Sequence, residues 1–354
     1  GVVLSHGMLF WVADLPSLVS GLTMVAPPRI LVIGPSNIGD AILASPVIAA
    51  LHRRYPEAHL SLVVGTRARA LFAGDPRVHG LIDAEAYGAP AGRLKLAWAL
   101  WRYQPQVVVD LRHTVYPLLL TPLAAWRYLR QPTRRLTHMR ERHLWKLRAQ
   151  VPGVANGSRA DHACPLVWTP RESAHVDQLW KRWGLGETAP VVLISPGARS
   201  HIKRWTAEGF AQVADRLIAE AGAAVVFSGE PDEESVIEAI RALMRGRAHS
   251  AVGLTTIRQL GLLMQRVRLV ITNDSASLHL ASAVGVQTVA IFGPTDEAKY
   301  GPTAPGSLTI RRRLFCAPCE RPLCAFNHEC MRFISADEVY DAARRILQGE
   351  GSRV

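Results

Sequence analysis

Acidic residues are scarce in this sequence, 29 Asp and Glu against 41 Lys and Arg, which leaves a formal net charge of +12. Such a balance suits anionic partners but leaves open whether they are nucleic acid, anionic lipid or phosphorylated small molecules. Long hydrophobic runs are missing too. Residues 1–27 are apolar, yet they hold no Lys or Arg and are broken by Asp14 and Pro16, which argues against a signal peptide or spanning helix. They are expected to form a leader outside the fold. No other stretch is long enough to span, and no repeat or low-complexity tract is apparent. Cysteine is sparse and uneven. Cys164 stands alone, while Cys316, Cys319, Cys324 and Cys330 crowd together, a clustering that favours metal ligation or reduced thiols over disulfides.

What the chain does have is bulk: 354 residues, 49% hydrophobic and 20% charged, enough for two ordinary domains. A strand–helix rhythm runs through it. Arg29 to Ile33 reads as a buried parallel strand, and from Asp40 the apolar positions recur at helical spacing to Tyr55. Strands at 60–64 and 106–110 follow, with a Trp-rich helix near 93–103 between them. The rhythm restarts after Pro190 with strand 191–195, a helix opened by Thr206, strand 223–227, helices 232–244 and 256–266, and strand 269–272. A helix from Asp274 to Val284 then ends at Gly285, before strand 288–292. The pattern predicts an α/β protein of two doubly wound, Rossmann-like domains, 28–168 and 190–333, joined by a linker helix at 169–189. Ligands of such sheets bind beyond the carboxyl ends of the strands, so the loops after Ile33, Ile194, Phe227, Thr272 and Phe292 should line a central cleft.

The first loop, Gly34-Pro-Ser-Asn-Ile-Gly-Asp40, has neither the dinucleotide nor the P-loop glycine spacing. Gly39 permits close backbone approach. Asp40 reads either as a helix cap or as a carboxylate facing the cleft. In the second loop, Ser195, Gly197 and Ala198 expose amides to an anion, Lys203 and Arg204 add charge, and Trp205 follows. The third runs Asn273-Asp274-Ser275-Ala276 into a helix carrying His279. The fourth is Gly293-Pro-Thr295-Asp296, and Glu230 is placed to accept from a ribose hydroxyl. The basic run at 121–150 reads as a solvated helical face or as a surface for anionic membrane or a phosphorylated acceptor. No aromatic-basic module of an RNA-binding type is present, so nucleic acid is not expected as a partner.

In order, Gly-Asp, Pro-Gly-Ala with Lys-Arg-Trp, Asn-Asp-Ser with His, and Gly-Pro-Thr-Asp resemble the lipopolysaccharide heptosyltransferases of glycosyltransferase family 9, from about Arg29 to Leu347. The resemblance implies a GT-B fold and metal-independent, inverting transfer of heptose from ADP-heptose to a lipid-linked, anionic saccharide at the cytoplasmic face of the inner membrane. It makes Asp40 the general base, Lys203 with the Gly197 and Ala198 amides the diphosphate site, and Trp205 the support of that loop. The loop Asp274 to His279 would meet phosphate and donor sugar. Many members carry Gly where this chain has Ala276. Gly39, Arg112 and His113 are acceptor-side candidates. Some relatives hold iron on a similar cysteine segment, so structural Zn or Fe is expected at Cys316, Cys319, Cys324 and Cys330. The last helix, within 334–354, is expected to pack back across the first domain. Two readings stay beside this one: a family 9 transferase with a protein or other glycan as acceptor, and a nucleotide-sugar epimerase on the same scaffold.

Overall fold

The computed structural model describes residues 27–88, 90–122, 125–128, 137–154, 166–186 and 188–349. Cys164, residues 1–26 of the expected leader and Arg130, Arg134 and Arg135 of the basic run lie outside these. The first half contains β1 (Arg29–Ile33), α1 (Ile38–Arg54), β2 (His59–Val64), α2 (Thr66–Phe72), β3 (Gly80–Asp83), α3 (Pro90–Tyr103) and β4 (Val107–Asp110). Three further helices follow it: α4 (Tyr116–Leu120), α5 (Ala125–Tyr128) and α6 (Met139–Gln150). The connecting helix α7 (Pro170–Arg182) starts in a capping box between Thr169 and Glu172.

The second half opens with β5 (Val191–Ser195), α8 (Ala207–Ala221), β6 (Ala224–Phe227), α9 (Glu234–Leu243), β7 (His249–Ser250) and α10 (Ile257–Arg266). It closes with β8 (Leu269–Asn273), α11 (Ala276–Ala283), β9 (Thr288–Phe292), α12 (Glu297–Tyr300), β10 (Leu308–Arg311), α13 (Glu329–Arg332) and α14 (Ala336–Leu347).

Each half is built on a wholly parallel sheet, in the order β3-β2-β1-β4 and β10-β9-β8-β5-β6-β7. In the first, Leu31 pairs with Ser61 on one side and Val108 on the other. Strands buried on both faces need apolar residues throughout, as Val191-Val-Leu-Ile194 supplies. One core runs from Ile30 and Val47 across to Met264, Leu280 and Ala281, so α1 packs directly on α11 between the sheets. A second core lies behind the second sheet.

That second core corrects the expectation for the C-terminal helix. Val339, Tyr340, Ala343 and Ile346 of α14 are buried with Phe210 and Phe227, and α14 packs on α8, not across the first half. Its apolar stripe found the nearest uncovered sheet face. Arg216 fixes it further by pairing with Asp337 at 2.7 Å and stacking 3.8 Å over the Tyr340 ring. The basic run also differs from expectation, because part of it turns inward. Lys146 is buried and its Nζ donates to the Leu111 carbonyl at 2.7 Å, while Arg140 reaches across to Thr303 at 2.8 Å.

Candidate active site

Strand order reverses beside β1 in one sheet and beside β5 in the other, and at such points the loops leaving neighbouring strands diverge. The two openings face each other across a cavity of about 1060 Å³. From the first half it is bordered by Gly39 and Asp40, and from the second by Ser195, Gly197, Ala198 and Lys203. Glu230, Asp274, Ser275, Ala276 and His279 of the sequence-derived set border it too.

Gly39 is required by the meeting of α1 with α11. A Cβ at that position would stand 2.9 Å from His279 Cδ2. The cap reading of Asp40 is not what the backbone adopts: Asn37 is the N-cap residue, and Asp40 lies in the first turn of α1, favoured there by the helix dipole. Its Oδ2 accepts from Asn37 Nδ2 at 3.4 Å, and Asn37 Oδ1 accepts from Arg199 Nη1 of the opposite half at 2.7 Å.

Asp274 organises the facing wall. Its buried Oδ2 accepts from Lys203 Nζ and from Thr295 Oγ1, both at 2.7 Å, so the carboxylate aims the ammonium instead of meeting an anion itself. Thr295 is buried and does not border the cavity; it serves this network. Burial pushes the His279 imidazole below its usual range, against the opposing pull of Asp274 and Asp40, and leaves it neutral at pH 7. A neutral ring can donate a hydrogen bond without adding charge. Burial likewise raises the Tyr300 phenol, with Asp40 next in weight.

Trp205 lies outside the lining of the cavity. Its indole is buried away from the cavity, donating from Nε1 to the Ile334 carbonyl at 3.0 Å, while its backbone N–H donates to Asn273 Oδ1 at 3.1 Å. It anchors the loop that carries Lys203. Arg112 and His113 also do not border the cavity. They sit exposed in a turn held by Asp110, whose carboxylate accepts from the Arg112 and Thr114 amides at 2.8 and 2.5 Å.

Four residues of the site escaped the sequence reading. Asn37 and Arg199 are the bridge just described. Arg67 crosses the mouth of the cleft to Glu230 at 3.6 Å. Glu233 occupies the space over Gly197, where a Cβ would fall 2.0 Å from its Oε1, and burial raises its carboxyl pKa. The Pro-Asp-Glu-Glu run after Glu230 signals a helix start, the one local clue to Glu233.

The four cysteines share a separate cavity of about 490 Å³, where burial, and then the other three thiols, push Cys330 up to about 11. Among the described residues, however, no three His, Cys, Asp or Glu side chains converge as a metal-holding group. The expected structural metal therefore has no assembled ligand set in this arrangement, which presents free thiols.

Comparison with known proteins agrees with this architecture. Residues 157–329 match the model of glycosyltransferase family 9 (heptosyltransferase). Lipopolysaccharide heptosyltransferase 2 of Escherichia coli K12 is 25% identical over 311 residues, covering 80% of this chain and 88% of its own. Among solved structures, a family 9 glycosyl transferase from Veillonella parvula superposes with a TM-score of 0.78 at 22% identity, over 93% of this chain and all of the other. The dodecameric iron-containing heptosyltransferase TibC, from enterotoxigenic E. coli and in complex with ADP-D-beta-D-heptose, gives 0.56 at 14% identity, over 93% of this chain and 78% of its own. Two parallel-sheet halves facing one cleft make the GT-B fold, and with the match of residues 157–329 to the family model they identify the chain as a glycosyltransferase similar to those of family 9.

Proposed function

We propose that this glycosyltransferase moves heptose from ADP-heptose to an anionic, lipid-linked saccharide of the lipopolysaccharide inner core, with inversion at the anomeric carbon. The observation that carries the reading is a single cavity bordered on one side by the Asp40 carboxylate and on the other by the Lys203 ammonium. A sugar hydroxyl is a weak nucleophile, and a carboxylate in reach can take its proton as oxygen attacks. The new C–O bond forms opposite the one that breaks, the diphosphate leaves with that electron pair, and one carboxylate suffices. Lys203 and the amides at Gly197 and Ala198 meet the charge developing on the departing diphosphate, so the step as proposed calls for no catalytic metal. His279 donates to a phosphate or sugar oxygen, and Glu230 accepts from the ribose. The acceptor's lipid anchor places the enzyme at the cytoplasmic surface of the inner membrane.

Asp40→Asn should lower acceptor-dependent ADP release by about 10²–10⁴-fold while calorimetric binding of ADP-heptose stays near wild type. Turnover like wild type in that variant would remove Asp40 from the mechanism. A panel of ADP-, UDP- and GDP-sugars tests the donor, and sugar released without any acceptor would point to epimerisation.

A further inference from the structure

The helix α3 is apolar on two opposite faces. Leu96 and Leu100 are buried in a core with Leu31, Ile33, Val63 and Val108. Leu94, Trp98 and Trp101 recur at the i, i+4, i+7 spacing of the other face and are 75%, 58% and 60% exposed. A helix with a second apolar face is ordinarily covered by something. The neighbouring α4 packs against α3 and extends the patch with Leu118, Leu119 and the preceding Val115. Scattered exposed leucines need no explanation, but these six side chains belong to two adjoining elements and form a patch.

The charge around the patch is of one sign. Arg93, Lys95 and Arg102 flank the stripe, all exposed, and the Arg102 guanidinium stands 4.7 Å over the Trp98 ring. Between Glu85 and Glu141 the sequence contains a single acid, Asp110, and it is 1% exposed. Two copies of this face would bring like charges together, which disfavours self-association. Anionic lipid satisfies both features: indoles and leucine enter the headgroup boundary while the cations stay with the phosphates. No described helix is long and apolar enough to cross a membrane, so this is contact along the surface.

We infer that α3 and α4 form a docking face for an anionic lipid bilayer, with Leu94, Trp98 and Trp101 as the inserted anchors. The inference rests on the lipid-linked acceptor reading for its purpose and relocates the membrane surface away from the basic run at 121–150. Because α4 leaves β4 at the carboxyl edge of the first sheet, docking there would set the acceptor side of the cleft toward the bilayer.

The test is co-sedimentation of the full chain with vesicles of about 30% phosphatidylglycerol in phosphatidylcholine. Wild type should partition onto them, and Leu94→Ser/Trp98→Ser/Trp101→Ser should lose at least about tenfold of that partitioning. Neutralising Arg93, Lys95 or Arg102 should cost about fivefold per charge. Brominated lipid should quench wild-type tryptophan fluorescence more than that of Trp98→Phe/Trp101→Phe, a conservative pair that keeps the fold. Partitioning unchanged in the triple variant, equal quenching in the conservative pair, or dimers in place of vesicle binding would each overturn the inference. ADP-heptose turnover on a delipidated acceptor is measured in parallel. Its absence alongside intact vesicle binding would defeat the transferase reading and leave the docking face standing.

Discussion

Two of the places where the halves meet are opposite in character. At the back, Arg258 is 4% exposed and pairs with Glu172 of α7 at 2.6 Å, while its Nη1 donates to the Leu71 carbonyl of the first half at 3.3 Å. One guanidinium thus ties the linker, the second half and the first. At the mouth, Arg67 and Glu230 face each other with 66% and 53% of their side chains exposed, and the Arg199 to Asn37 bond is exposed as well. Exposed ion pairs contribute about 0–1 kcal/mol, whereas breaking a buried one costs about 3–5 kcal/mol. The difference predicts that the back acts as a pivot while the mouth opens for a donor.

The largest effect should come from breaking the back. Arg258→Met leaves the Glu172 carboxylate without its partner and should lower unfolding free energy by about 3–5 kcal/mol, read from the urea midpoint. A shift under 1 kcal/mol would mean that apolar packing of α1 on α11, not Arg258, holds the halves together.

Acid separates the buried contributions further. The bond from Arg258 holds the Glu172 carboxyl at about 2 against an ordinary 4.5. Its contribution is complete above pH 4.5 and is lost as pH falls toward 2, about 3 kcal/mol in all. His143, buried with neither ring nitrogen bonded, is driven by desolvation from 6.5 to about 3. The fold keeps this ring neutral, so its contribution is complete above 6.5 and lost as pH falls toward 3, at about 1.4 kcal/mol per pH unit. His143→Leu should therefore flatten the stability profile between pH 6.5 and 4.5 by about one proton, and Glu172→Gln should flatten it below 4.5. An unchanged slope in His143→Leu would show that the ring is not buried in solution.

The back and the mouth were also unequally legible in the sequence. Strands such as Arg29–Ile33 and Val191–Ser195 announce themselves because burial on both faces demands an unbroken apolar run. The short strands Gly80–Asp83 and His249–Ser250 do not, since their neighbours in the sheet define them more than their own residues. Loops at strand ends gave Asp40, Lys203, Asp274 and His279 because topology alone brings such loops to one cleft. The packing of α14 was misplaced because an apolar pattern records that a side chain is covered, not by which element. The partners Arg67, Asn37 and Arg199 had no signal beyond ordinary polar residues, since only the meeting of two halves gives them a role, and Glu233 had only the helix-start run around it.

The mouth should yield the smallest changes and the sharpest sign. If Glu230 takes the donor ribose, Arg67 competes for the same carboxylate, so Arg67→Ala should tighten ADP-heptose binding by about twofold to fivefold with stability unchanged. Arg199→Ala frees Asn37 and so loosens the hold on Asp40, which should lower kcat severalfold with little effect on donor affinity. The Arg67–Glu230 pair is screened by salt, so raising ionic strength on wild type should mimic Arg67→Ala, while the buried Arg258 pair stays indifferent. Weaker donor binding in Arg67→Ala would reverse the assignment: the arginine would then be a donor contact, and the mouth would close onto the nucleotide sugar instead of being held shut without it.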